Sequence, residues 1–170
     1  LLGGYSWQKT HYQNFYMQNF NFPSNDYTYN NMGTGQALKD GRGTEYSTAN
    51  ESKLIGYFGR LNYSYKGKYM FAASLRHEGS TKFGADHKWG NFPSVSAAWN
   101  IKGEQFLEDT DVLSILKLRA GYGVTGTVPS DPYMSLNTLN FGTYVYYNNQ
   151  WIKTIRPDSN ANPELRWEKK

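Results

Sequence analysis

No cysteine occurs among the 170 residues, which removes a disulfide framework and every thiolate-based zinc or iron–sulfur site. Branched aliphatics are scarce. Thirteen Leu, five Ile and five Val, even with the nine Phe, stay below the roughly 20% at which disorder becomes a serious reading. Long hydrophobic runs are missing too: the longest apolar stretch is Tyr69-Met-Phe-Ala-Ala73, far short of the ~18 residues of a membrane-spanning helix. A helical bundle and a doubly wound sheet both need longer aliphatic stripes or runs, so both are disfavoured. A spanning β-barrel escapes this test, because its signal is alternation within segments of ~10 residues. The charge excess is small, +4 from 18 basic and 14 acidic residues that are scattered along the chain. Nucleic acid is therefore not an expected partner, and the excess serves solubility.

What the chain does have is 5 Trp, 15 Tyr and 9 Phe, too many aromatics for a solvated coil, together with 17 Gly. From Ser52 to Tyr65, one parity holds Ile55, Tyr57, Gly59, Leu61, Tyr63 and Tyr65, while the other turns polar through Arg60, Asn62 and Ser64. That is a strand of period 2. Lys66-Gly67-Lys68 reads as a tight turn, after which Tyr69, Phe71, Ala73, Leu75 and His77 alternate with Met70, Ala72, Ser74, Arg76 and Glu78. Two such runs about a Gly-bearing turn make a hairpin. Alternation returns in Val95, Ala97, Trp99 and Ile101, again in Leu118, Ala120, Tyr122 and Val124, and briefly over 165–169. Residues 1–10 make a plausible first strand, and 103–115 is the only helical-looking segment. Connections are expected at 11–51, 66–67, 79–92, 103–115 and 126–163.

Amphipathic rings recur near strand ends (Tyr57, Tyr63, Tyr65, Tyr69, Trp99, Tyr122), where a membrane interface selects them. Short turns alternate with long loops, the pattern of an outer-membrane barrel. The polar parity carries Arg60, Arg76, Glu78, Lys117 and Arg119. These are expected to face a lumen, either lining a water-filled passage or forming a structural charge network around Glu78; the network is the favoured reading. Several other motifs fail. Gly121-Tyr-Gly-Val-Thr-Gly126 matches a dinucleotide-binding glycine pattern, but the following Val128-Pro129-Ser130-Asp131-Pro132 cannot open the helix such a site needs. No cofactor is expected. His11, His77 and His87 lack metal-ligand spacing, and no catalytic triad is in view. Glu78 and Asp86 form a carboxylate pair of the kind a glycosidase uses, though any β-protein supplies such pairs by chance.

Particular stretches resemble a family. Leu54-Ile-Gly-Tyr-Phe-Gly-Arg-Leu-Asn-Tyr-Ser-Tyr-Lys-Gly-Lys-Tyr69, Ser74–Ser80, Phe83–Ile101, Leu113–Gly126 and Asn162-Pro-Glu-Leu-Arg-Trp-Glu-Lys169 are similar, in order and spacing, to the barrel region of SusC/RagA-type TonB-dependent transporters. Tyr27-Thr-Tyr-Asn-Asn-Met-Gly33 is similar to one of the family's loops. The resemblance implies an all-β fold: an antiparallel transmembrane β-barrel segment, about six strands of a barrel of about 22, with long external loops and a plugged lumen. It implies a place in the bacterial outer membrane and import of a glycan or peptide substrate. The implied partners are a SusD-like surface lipoprotein, outer-membrane lipid and the TonB complex, the last through parts absent from this chain. Residues 1–170 are then a partial barrel domain without plug or TonB box, from the C-terminal half of the barrel. Six strands cannot close so wide a barrel, and lipid tolerates no open edge, so the segment alone is expected neither to transport nor to fold stably in a membrane.

On this reading 66–67 and 103–115 are periplasmic turns, and 11–51, 79–92 and 127–163 are external loops. Tyr144, Tyr146, Tyr147 and Trp151 of the last loop are candidate ligand contacts, able to stack on sugar rings, with packing against neighbouring loops the commoner use of such rings. No covalent chemistry is expected. The rival from another class is a soluble carbohydrate-binding β-sandwich, and a third reading is a β-rich glycosidase fragment.

Overall fold

The computed structural model describes residues 1–26, 28, 30–108 and 110–170. They form two compact units, residues 1–9 with 52–170, and residues 10–51. The first unit is built on a sheet whose order, β1-β2-β3-β4-β5, follows the chain: β1 (Leu2–Gln18), β2 (Thr44–Tyr65), β3 (Tyr69–Ser80), β4 (Trp89–Asn100) and β5 (Lys117–Gly123). From β2 to β5 the pairing is antiparallel. The β2–β3 turn has φ of 50° at Lys66 and 66° at Gly67, the two left-handed residues of a hairpin turn whose twist matches the strands it joins.

Register fixes the faces. The row Leu61–Ala73–Val95–Tyr122 crosses all four strands, and the neighbouring row Asn62–Ala72–Ser96–Gly121 lies on the opposite side. Because side chains alternate along each strand, the aromatic and aliphatic parity forms one continuous outer surface. The polar parity forms the inner one. After β5 the chain changes neighbours: the Val124 amide still donates to Pro93, while Thr125 and Lys170 exchange a pair of backbone hydrogen bonds. The ladder then continues as β6 (Gly126–Thr127) against β9 (Glu168–Lys169). β6 and β9 form a two-stranded sheet of their own, and the run expected over 165–169 is a strand only at Glu168–Lys169.

In the second unit, taken by itself, Asn19 organises the connection. Its buried amide donates to the carbonyls of Met32 and Gly35 at 2.7 and 2.9 Å and accepts from the amides of Phe20 and Leu38. A one-turn helix, Gln36–Lys39, buries Ala37 beneath it.

Four expectations change. The loop at 11–51 shortens to 19–43 because β1 and β2 run on as a ribbon; both faces of that ribbon are polar or exposed, so no parity contrast marks it. The loop at 79–92 shortens to 81–88, since β4 begins at Trp89. Among the described residues of 103–115 there is no α-helix: the turns are short 3-10 pieces at Ile101–Gly103 and Gln105–Leu107. The loop at 126–163 contains a hairpin, β7 (Thr138–Tyr147) and β8 (Gln150–Ser159). Its turn is Asn148-Asn149 with φ of 49° and 60°, residues that tolerate the left-handed region well. Tyr27 and Tyr29 of the loop motif lie outside the described residues.

Candidate functional site

The outer surface decides what solvent the wall meets. Leu75 is 51% exposed and Tyr122 70% exposed, and Tyr57, Leu61, Tyr63, Phe71, Val95 and Leu118 are exposed with them. Among the described residues the buried apolar ones, by contrast, are Ala37, Phe83, Phe92 and Trp167. A soluble sandwich puts its apolar parity between two sheets; here that parity is the open face. An apolar surface of this extent is stable only against a nonaqueous neighbour. Tyrosine and tryptophan line it toward both strand ends, with Tyr65, Tyr69 and Trp99 stacked in series at 6.5 and 6.4 Å near the β2–β3 turn and Tyr5, Tyr57, Trp89 and His77 grouped near the other end.

The inner surface carries the expected charges in unequal states. Arg76 grips Glu78 with two hydrogen bonds, Nη2 to Oε1 at 2.6 Å and Nε to Oε2 at 3.0 Å, and its Nη2 also reaches Ser6 on β1. This pair is the structural network. Arg60 donates to Asn62 at 3.0 Å, and Lys117 and Arg119 are exposed on β5. Both carboxylate oxygens of Glu78 are thereby engaged by Arg76.

At the loop end, the motif glycines and aromatics converge. Phe83, Phe92 and Trp167 pack together with ring centroids 4.8 and 5.0 Å apart, with Leu54, Val124, Val128 and Leu165 around them. Gly126, the last residue of the glycine pattern, lies against the Phe92 and Trp167 rings, where a Cβ has no room; the pattern serves packing. The 81–88 loop holds both feet of the long connection. Lys82 Nζ donates to the carbonyls of Pro129 and Ser130 at 2.9 and 2.6 Å. On the other foot, Gly84 N–H bonds Leu165, His87 meets Glu164 at 3.2 Å, and Trp167 Nε1 donates to Lys88. A Cβ on Gly84 would overlap the Pro163 carbonyl. The β7–β8 hairpin rises between these feet.

On that hairpin, Tyr144, Tyr146 and Trp151 share a face with Lys153, through the pairs Tyr144↔Lys153 and Tyr146↔Trp151. The Tyr146 and Trp151 rings are 5.3 Å apart, tilted by 58°, and Lys153 Nζ lies 5.2 Å from the Phe141 ring and 5.8 Å from the Tyr144 ring. Tyr147 pairs with Gln150 at the turn, on the other parity. The structure thus brings together three of the four predicted aromatics. Phe141 and Lys153 lie beside them; the Asn-Asn turn between two runs of strand-forming residues was the signal that would have found this hairpin.

At the turn end, Glu104 is a hub that composition gave no reason to single out. Its carboxylate accepts from Tyr69 OH at 2.7 Å, Trp99 Nε1 at 3.0 Å and Lys68 Nζ at 3.1 Å. Those donors, the indole first, lower its pKa to about 2. Lys102 Nζ meanwhile caps the carbonyls of Leu107, Glu108 and Thr110. Among the described residues no group of His, Asp and Glu is arranged to hold a metal.

Known proteins agree with this architecture. The family model for TonB dependent receptor-like β-barrels matches residues 1–169. The chain belongs to the TonB-dependent receptor β-barrel family. It is 44% identical over 131 residues to TonB-dependent receptor SusC of Bacteroides thetaiotaomicron, covering 74% of this chain and 13% of that protein. To TonB-dependent receptor P3 of Formosa agariphila it is 34% identical over 168 residues, 99% of this chain and 16% of that protein. A solved structure of the RagAB peptide transporter superposes with a TM-score of 0.78 at 21% identity, over 97% of this chain and 18% of that one. The chain therefore spans about one sixth of the length of the relatives it matches. Barrels of this TonB-dependent receptor family are outer-membrane proteins, which identifies the solvent of the exposed apolar face as lipid.

Proposed function

We propose that this chain is wall, from the C-terminal half of the barrel domain, of a SusC-like TonB-dependent transporter that imports glycans or peptides across the outer membrane. The observation that carries the reading is the open apolar face with tyrosine toward both ends, set on strands whose inner face is polar. SusC and the RagAB peptide transporter, as relatives in sequence and in fold, support import and pairing with a SusD-like surface lipoprotein. TonB supplies the energy through parts of the transporter outside this segment. On this reading the 66–67 turn and the 101–116 connection are periplasmic, and the 81–88 and 128–163 segments are external. The chain carries out no covalent chemistry.

The rival reading, a soluble carbohydrate-binding sandwich, calls for the opposite placement of the apolar parity. The deciding experiment uses the full-length transporter, tested for TonB-dependent uptake of fluorescently labelled neutral and acidic oligosaccharides and peptides by cells. Uptake of one class that stops when TonB is deleted is the expected result. A full-length protein recovered from the soluble fraction as a detergent-free monomer would overturn the wall reading.

A further inference from the structure

The inner face of β2 to β5 has an unequal charge. From Leu54 to Gly123 its strand positions include four cations, Arg60, Arg76, Lys117 and Arg119, and one carboxylate, Glu78. Arg76 takes both oxygens of Glu78. Arg60 has only the Asn62 amide oxygen, and Arg119 and Lys117 have no ion pair among the described residues. Three cations are therefore left unmatched on this wall.

Two of them bracket a floor. Arg60 begins the row Arg60–Ser74–Ser94–Gly123, and Arg119 closes the row Ser64–Met70–Ala98–Arg119. Between them runs Asn62–Ala72–Ser96–Gly121. With strands ~4.8 Å apart and ~3.4 Å per residue along them, Arg60 and Arg119 stand about 14 Å apart across the sheet and about 14 Å along it, roughly 20 Å on the diagonal. The floor between the two arginines is Ala, Ser and Gly, long enough for a short run of sugar or amino-acid units. Shallow hollows border each arginine, and Ala72 and Ser96 belong to both. Ser74 and Ser94 lie 2.7 Å apart, hydroxyl to hydroxyl, and add neutral donors to the floor.

A guanidinium binds carboxylate, sulfate or phosphate through two parallel hydrogen bonds. Charge of one sign on low-dielectric walls concentrates the opposite ion, and rings of Arg or Lys make pores anion-selective. We infer that the patch between Arg60 and Arg119 is an anion site on the transport path and that it favours acidic substrates, those bearing carboxylate or sulfate groups. The inference rests on the transport reading above and adds the charge class of the cargo.

The test uses the purified full-length transporter in detergent. It is titrated with oligogalacturonate, neutral maltohexaose, a Glu-rich hexapeptide and a neutral hexapeptide, at low and high NaCl. The expected result is that the acidic member of one pair binds more tightly than the neutral member and loses affinity with salt; which pair shows this names sugar or peptide as the source. Arg60→Ala and Arg119→Ala each then weaken that binding about tenfold, the size of a lost charge-assisted hydrogen bond, and Arg60→Lys recovers part of it. Ser96→Glu places a negative charge on the floor and lowers acidic binding, a perturbation independent of removing an arginine. Equal binding of acidic and neutral probes overturns the anion site and leaves the transport reading standing. So does a double arginine variant that melts earlier yet binds acidic probes as before, since the arginines would then pair with carboxylates of the polypeptide. Binding of no probe at all overturns both readings.

Discussion

Trp167, just before β9, and Tyr122, on β5, are both large amphipathic rings, yet the first is 8% exposed and the second 70% exposed. Trp167 sits in a small water-excluding cluster with Phe83 and Phe92, its N–H satisfied by the Lys88 carbonyl at 2.9 Å. Tyr122 stands on the outer face in the row with Leu61, Ala73 and Val95. The same chemistry thus serves two solvents. At the loop end, where the polypeptide leaves the bilayer, aromatics are hidden from water by other aromatics; along the wall they are turned toward lipid. An exposed apolar face here is a solvent-facing surface in the ordinary sense, with lipid as the solvent.

Breaking the buried half of this contrast should have the largest effect. Trp167→Ala in the full-length protein is expected to cost about 3–5 kcal/mol, the range for a buried aromatic. Limited proteolysis should show cuts within 128–163 while the wall strands stay protected; uniform protection would mean that the external loop does not depend on this cluster. The lipid-facing half is tested by parity. Leu75→Arg should destabilise insertion by about 2–4 kcal/mol, while Ser74→Glu, one residue away on the inner face, should cost under about 1 kcal/mol. Urea titrations of the transporter in vesicles compare them, and equal costs would remove the assignment of faces.

A smaller effect is expected at one foot of the external loop. Lys82→Met removes two hydrogen bonds from an ammonium to carbonyls and should cost about 1–2 kcal/mol, read as faster amide exchange around 128–132 with no change in β3 and β4. The smallest effect concerns the turn end and appears only in acid. Because the Glu104 carboxylate is held down to about 2 from its ordinary 4.5, the stability it contributes is full above about 4.5 and is lost as pH falls toward 2. Trp99 fluorescence should change across that window in the wild type, through its bond to Glu104, and stay flat in Glu104→Gln.

Much of the wall was legible in the residues because each strand between Ser52 and Val124 contrasts its two parities. Leu61 against Asn62, or Tyr122 against Gly121, assigns a face without any knowledge of neighbours. Where that contrast vanishes, so does the signal. The ribbon over 10–18 and 44–51 has polar or exposed residues on both faces, and the β7–β8 hairpin has apolar ones on both, with Val145 and Ile152 opposite Tyr144, Tyr146 and Trp151. The candidate lumen charges were found by parity, but parity is silent on which of them are neutralised.

The amino-acid order by itself determined the alternation, the two faces and the family, because each depends on residues two apart along one strand or on motifs contiguous in the chain. Only the tertiary structure decided that Arg76 consumes Glu78, that Glu104 ties Lys68, Tyr69 and Trp99 together, and that the 81–88 loop clamps a segment some 80 residues away, as in the bonds from His87 to Glu164 and from Trp167 to Lys88. The physical reason is register. A one-residue slip between strands would leave every local pattern intact while sending each of these side chains to a different neighbour.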